Sequence, residues 1–127
     1  MLGNSAVMPT IPVSDLDRAK DFYSNKLGLE TLNATENDGG IIYKAGEGTA
    51  LFIYKSAGAG TSQATYASFK VADLESEMKT LREKGVVFEE YDMPGLKTEN
   101  GVATYGDDKA AWLKDSEGNI LALNQMG

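Results

Sequence analysis

The sequence predicts an α+β fold in which two βαβββ modules form a curved, eight-stranded open sheet or half-barrel with helices on the outside. Three observations predict it. Val13-Ser14-Asp15-Leu16 and Val71-Ala72-Asp73-Leu74 each open a helical pattern, 58 residues apart (13 to 71). Glu47-Gly48-Thr49-Ala50-Leu51-Phe52-Ile53 and Glu117-Gly118-Asn119-Ile120-Leu121-Ala122-Leu123 each read as a glycine turn entering an apolar strand, 70 residues apart (47 to 117). Each helical pattern also follows a strand-like segment, at 6–13 and at 64–71. A module this small cannot cover its own sheet, so pairing two of them is expected to enclose a cleft.

In chain order, the first helix has Leu16, Ala19, Phe22, Tyr23 and Leu27 on one face, at intervals of three and four. Ser14 is its expected N-cap, with Asp17 three residues on, and Gly28 its stop in the left-handed conformation. Strands are expected at 28–33, 40–45 and 49–54. The second helix carries the stripe Leu74, Met78 and Leu81 and stops at Gly85. Strands at 86–89, about 103–114 and 119–124 complete the second copy. The spacing between the copies grows from 58 to 70, which places an insertion between Gly85 and Glu117. Its natural home is 91–108, with Pro94-Gly95, Asn100-Gly101 and Gly106; long loops of this kind are often lids or binding segments. We expect one domain over 1–127, with module 1 at about 6–56 and module 2 at about 64–125.

The chain of 127 residues contains no cysteine and no histidine. Disulfides, thiolate metal sites and cysteine nucleophiles are therefore excluded, as are imidazole-ligated metals and serine–histidine catalysis. Only oxygen ligands remain, which suit magnesium, calcium or manganese. The formal net charge is −7, from 12 basic and 19 acidic residues. An acidic surface repels phosphate backbones and anionic lipid, so neither nucleic acid nor membrane is an expected partner. No apolar run reaches the ~20 residues of a membrane span, and no basic-then-apolar leader pattern opens the chain. Together with the absent cysteines, this leads us to expect a cytoplasmic location.

Val13-Ser14-Asp15-Leu16-Asp17-Arg18-Ala19, with Asp21-Phe22-Tyr23 and Leu27-Gly28-Leu29, resembles the first-helix signature of the vicinal oxygen chelate superfamily. Ala111-Trp112-Leu113-Lys114-Asp115-Ser116-Glu117-Gly118-Asn119-Ile120 is similar to the family's late strand–turn–strand motif. The superfamily includes glyoxalase I, extradiol dioxygenases, fosfomycin-resistance enzymes and bleomycin-resistance proteins. The resemblance covers nearly the whole chain and implies the fold, but many functions share that fold. It also implies a homodimer, with modules side by side or exchanged between partners. Metal-binding members hold their ion at four strand positions, which correspond here to Met8, Phe52, Tyr66 and Ala122. A thioether, a phenyl ring, a phenol and a methyl are poor ligands for a hard or borderline divalent ion, so no metal and no other cofactor is expected.

With those four positions facing the cleft, as the resemblance implies, strand alternation adds Thr10 beside Met8, Tyr54 beside Phe52, Ser68 beside Tyr66 and Asn124 beside Ala122 as the expected lining. Lys70, at a strand end, is read as solvated. Trp112, the only tryptophan, faces either this cleft or the helix layer. Met93 and Tyr105 could close over the cleft from the insertion. The alternative to an open pocket is a barrel filled by Met8, Phe52 and Tyr66 themselves. Glu89-Glu90 and Asp107-Asp108 are read as solvated surface, since neighbours on an extended strand point opposite ways. The favoured function is metal-independent binding or sequestration of a small, flat or aromatic organic molecule, of the bleomycin-resistance type. The alternative is a lyase, isomerase or dioxygenase with a histidine-free site, in which Glu47, Glu99 or Asp107 would converge on a metal. No catalytic residue is assigned. A third reading is a fold serving only protein association.

Overall fold

The computed structural model describes residues 1–32 and 39–127. Module 1 runs β1 (Thr10–Val13), α1 (Leu16–Asp21), β2 (Glu30–Thr31), β3 (Gly40–Lys44) and β4 (Ala50–Lys55). Module 2 runs β5 (Thr65–Lys70), α2 (Leu74–Glu83), a short hairpin of β6 (Asp92–Met93) and β7 (Leu96–Lys97), then β8 (Ala103–Tyr105), β9 (Asp108–Lys114) and β10 (Ile120–Gln125). The result is the α+β arrangement of two open four-stranded sheets, in the orders β1-β4-β3-β2 and β5-β10-β9-β8. In each, the strand before the helix pairs in parallel with the module's last strand, and the other pairings are antiparallel. Pro12 is tolerated because β1 is an edge strand, where a missing N–H breaks no ladder.

Both helices start on an aspartate. Asp15 accepts from the Arg18 N–H at 3.0 Å and Asp73 from the Ser76 N–H at 3.1 Å, so the caps keep the 58-residue repeat (15 to 73). The expected cap, Ser14, lies one residue too early, and its hydroxyl bonds Glu117 instead. Gly28 and Gly85 take positive φ at the helix ends, as expected. After Asp21 the first helix widens into a π-turn over Phe22–Lys26, closed by Leu27 N–H to Phe22 C=O at 3.0 Å.

The strands depart from expectation in four places. β1 begins at Thr10 rather than at 6, and β2 is only two residues long; residue 33, the expected end of that strand, lies outside the described residues. The segment expected as a strand at 86–89 makes a single bridge, Phe88 to Leu113. The long strand expected over 103–114 is two strands, because Gly106 at φ 61° folds β8 back onto β9.

One hydrophobic core joins the two halves. Ile11, Val13, Ile41, Tyr43, Leu51 and Ile53 from the first sheet meet Ala111, Leu113, Leu121 and Leu123 from the second, with Ala19, Phe22, Tyr23, Leu74, Met78 and Leu81 from the helical segments. A polar lock crosses the same junction. The Glu117 carboxylate accepts from the Ser14 and Asp15 N–H groups, the Ser14 and Ser116 hydroxyls, and Arg18 Nε and Nη2, at 2.7–3.1 Å. Beneath it the Tyr23 hydroxyl donates to Asp115 at 2.6 Å, and Asn119 Nδ2 donates to Asp115 and to the Pro12 carbonyl. Among the described residues no buried side-chain polar atom lacks a partner, and no helix is long and apolar enough to cross a membrane.

Candidate functional site

Because one face of each sheet is spent on the shared core, the opposite face is what remains for a ligand. On the first sheet, Thr10, Phe52 and Ile42 are ladder neighbours on that face, followed by Pro12, Tyr54 and Gly40. The Phe52 ring stacks on Tyr54 at 5.9 Å between centroids and lies over Gly40, where a β-carbon would collide with the ring. Met8 precedes the strand and is 39% exposed.

On the second sheet, Ser68, Ala122 and Trp112 are ladder neighbours, with Lys70, Asn124 and Ala110 one step along. Ala103, Ala110, Ile120 and Ala122 are buried on this side, outside the helix-side core. Trp112 therefore faces away from the helices. The Tyr91 ring meets it edge-on at 5.6 Å and 84°, a geometry favoured by the ring quadrupoles. Around this pair opens a cleft of about 550 Å³, lined also by Met93 and Leu96 from the β6–β7 hairpin, by Ile120, by Ser62, Gln63 and Thr65, and by Glu89 and Lys114. Glu89 and Lys114 form an ion pair at 3.5 Å on its wall. Burial, with Glu89 adding to it, raises the Tyr91 pKa above the usual phenol value, so the phenol stays a neutral donor at neutral pH.

A cleft does run between the modules, with Pro9, Ala45, Glu47 and Leu51 on one side and Ala67, Ser68, Lys70 and Val71 on the other, but most of the expected lining residues lie outside it. Phe52, Tyr54, Met8 and Thr10 line none of three clefts, which are the one at Trp112, one of about 690 Å³ beside α2 and β8, and one of about 600 Å³ beside the β5 edge. Ser68 and Lys70 line the β5-edge cleft, and Asn124 lines none of the three. Tyr66 departs from the alternation for a clear reason. Ile120 pairs with Thr65 and Leu121 with Ala67, so Tyr66 is the extra residue of a β-bulge, and it packs against the helix-side core. Of the two insertion residues expected over a cleft, Met93 lines it, whereas Tyr105 stands 48% exposed on β8. Glu90, read as solvated, accepts from the Thr98 hydroxyl and the Gly101 N–H.

Alternation along the long strands could not find Tyr91, Leu96, Ser62, Gln63 and Thr65, since they come from the short β6–β7 hairpin and its base and from the approach to β5. The only sequence signal was the length of the insertion itself. The four positions matched to the family's metal ligands do not suit an ion here. Phe52 sits on a different sheet from Tyr66 and Ala122, Met8 lies just before β1, and none of the four offers a carboxylate or imidazole. The alternative ligands are also apart: Glu47 lines the β5-edge cleft, Glu99 the α2 cleft, and Asp107 the β8–β9 turn. Among the described residues no three carboxylates are grouped as a metal would require.

A sequence profile described as the Glyoxalase/Bleomycin resistance protein/Dioxygenase superfamily matches residues 5–123. No curated protein matches the sequence. Among solved structures the chain is similar to TnmS3, an antibiotic binding protein from Streptomyces sp. CB03234, with TM-score 0.73, 22% identity and 98% of each chain covered. It is also similar to a glyoxalase/bleomycin resistance protein/dioxygenase from Alicyclobacillus acidocaldarius, with TM-score 0.73, 20% identity, and 96% of this chain and 91% of that one covered. A lactoylglutathione lyase from Agrobacterium tumefaciens has TM-score 0.70 at 16% identity, covering 95% and 93%. At these identities the likeness establishes the fold alone.

Proposed function

The chain belongs to the glyoxalase/bleomycin resistance protein/dioxygenase superfamily, and from that premise we propose that it is a metal-independent protein that binds and sequesters a small, flat organic molecule. The single observation that carries this reading is the Trp112 cleft. Its wall is an aromatic pair with Met93, Leu96 and Ile120, and the Ser62 and Thr65 hydroxyls and the Gln63 amide belong to its lining. A mostly apolar cleft of a few hundred Å³ with a few convergent polar groups is what a small-molecule site requires. The binding residues in this reading are Trp112 and Ile120 on the sheet and Tyr91, Met93 and Leu96 from the insertion, while Ala122, Ser68 and Asn124 lie on the same sheet face outside this cleft.

Met8, Thr10, Phe52 and Tyr54 form a second aromatic face that lines none of those clefts, and in this reading a second copy of the chain brings it opposite a Trp112 face. The active unit is then a homodimer in the cytoplasm. The test is a thermal-shift screen of planar aromatic compounds in the presence of a chelator. A ligand at 100 times its Kd adds about 2.7 kcal/mol of stability. The absence of any shift across a broad panel contradicts the proposal.

A further inference from the structure

One wall of the Trp112 cleft is not part of a sheet. Tyr91, Met93 and Leu96 belong to the β6–β7 hairpin, whose own ladder has only two pairs, Asp92–Lys97 and Met93–Leu96. Two-stranded ribbons this short do not hold a position unaided. The base of the hairpin is tied by Thr98, which is buried. Its N–H donates to the Tyr91 carbonyl at 2.9 Å, and its hydroxyl oxygen accepts from the Tyr91 N–H at 2.8 Å.

The Thr98 hydroxyl in turn donates to Glu90 Oε1 at 2.6 Å, and the same oxygen accepts from the Gly101 N–H at 2.8 Å. Gly101 belongs to a tight turn at Asn100-Gly101, with φ values of 53° and 82°. That turn is set in the body of the protein. A β-carbon on Gly101 would stand 3.1 Å from Arg82, Met78 and Phe88, and Arg82 Nη2 donates to the Asn100 carbonyl at 2.8 Å.

We propose that Glu90, which does not line the cleft, is a positioning residue that fixes the Tyr91–Met93–Leu96 wall against Trp112 by joining the hairpin base to the anchored Asn100-Gly101 turn. This rests on the reading of the Trp112 cleft as the ligand site. The geometry is economical: one carboxylate oxygen on the surface holds two turns together, and the wall it holds carries three of the cleft's apolar side chains. Glu90 is exposed, so its removal empties no core volume and acts on the hairpin alone. A carboxylate accepting charge-assisted bonds is held more firmly than a neutral pair, which suits a clamp.

The experiment compares Glu90→Ala, Glu90→Gln and Thr98→Val with the parent chain by two measurements. Acrylamide quenching of Trp112 reports the wall without any ligand, and titration with anilinonaphthalene sulfonate reports the cleft. Glu90→Ala is expected to raise the quenching constant about twofold and weaken probe binding about tenfold, the worth of one hydrogen bond of preorganisation. Glu90→Gln, which keeps an acceptor oxygen, is expected to restore both. Should Glu90→Ala fail to fold, Thr98→Val removes the Glu90 contact together with the Tyr91 N–H bond, so quenching there should rise at least as much, and quenching equal to the parent still overturns the clamp. Quenching that rises in a protein whose parent binds no probe leaves the clamp standing and removes the ligand reading. Quenching and binding equal to the parent in Glu90→Ala or Thr98→Val overturn the proposal.

Discussion

Replacing Glu117 with glutamine should lower stability at neutral pH and matter progressively less as pH falls towards 2. The Glu117 side chain is fully buried while its partner Arg18 is 54% exposed. The Arg18 hydrogen bond, helped by Ser116, Ser14 and the Asp15 N–H, outweighs the desolvation that opposes it and lowers the Glu117 pKa from 4.5 to about 2. A depressed carboxylate pKa stabilises the fold fully above the unfolded value and loses that contribution as pH falls towards the folded value. The shift corresponds to roughly 3 kcal/mol at 1.36 kcal/mol per unit. Glutamine offers one acceptor and puts an amide against the remaining donors, so most of that is lost at pH 7. For a chain of this size the loss is about 10 °C in melting temperature.

Melts of both proteins by circular dichroism, from pH 7 down to pH 2.5, provide the measurement. The gap should hold from pH 7 to about 5 and narrow between about 4.5 and 2. An unchanged melting temperature at pH 7, or a gap of constant size across the series, would refute the reasoning.

Two further outcomes are expected. Tyr23→Phe removes the buried hydroxyl that donates to Asp115 at 2.6 Å while keeping the ring stacked on Tyr43 at 5.9 Å, and it should cost about 1–3 kcal/mol in urea unfolding; a loss under about 0.5 kcal/mol would mean that Asn119 and the Glu117 N–H satisfy Asp115 without it. Sedimentation at micromolar concentration should show a dimer, and Phe52→Glu, which puts a charge on the exposed face of the first sheet, should shift it to monomer; a monomeric parent chain contradicts the shared-site reading.

Much of the fold was legible because local chemistry and long-range repeat agree. Gly28 and Gly85 stop the helices for backbone reasons that no neighbour can override. The stripe Leu74, Met78 and Leu81 is buried as its spacing requires. Where two adjacent residues could each cap a helix, the local pattern pointed to Ser14, but the Ser14 hydroxyl is taken by Glu117 across the modules and Asp15 caps instead. Alternation placed Phe52 and Tyr54 of β4, and Ala122 and Asn124 of β10, on the face away from the helices but failed at Tyr66, because a one-residue bulge reverses the side-chain sense and leaves no mark in composition. The cleft wall was hidden for a different reason. Tyr91 and Leu96 meet Trp112 from a hairpin bonded at its base to Thr98, a tertiary arrangement that no periodicity encodes.

The single tryptophan makes the central claim directly measurable. Chelator-treated protein titrated with a planar aromatic ligand should show a saturable change in Trp112 emission, and the same Kd when manganese or magnesium is returned. A ligand that binds only after metal is restored, or one that binds tightly without altering Trp112 emission, would contradict the account.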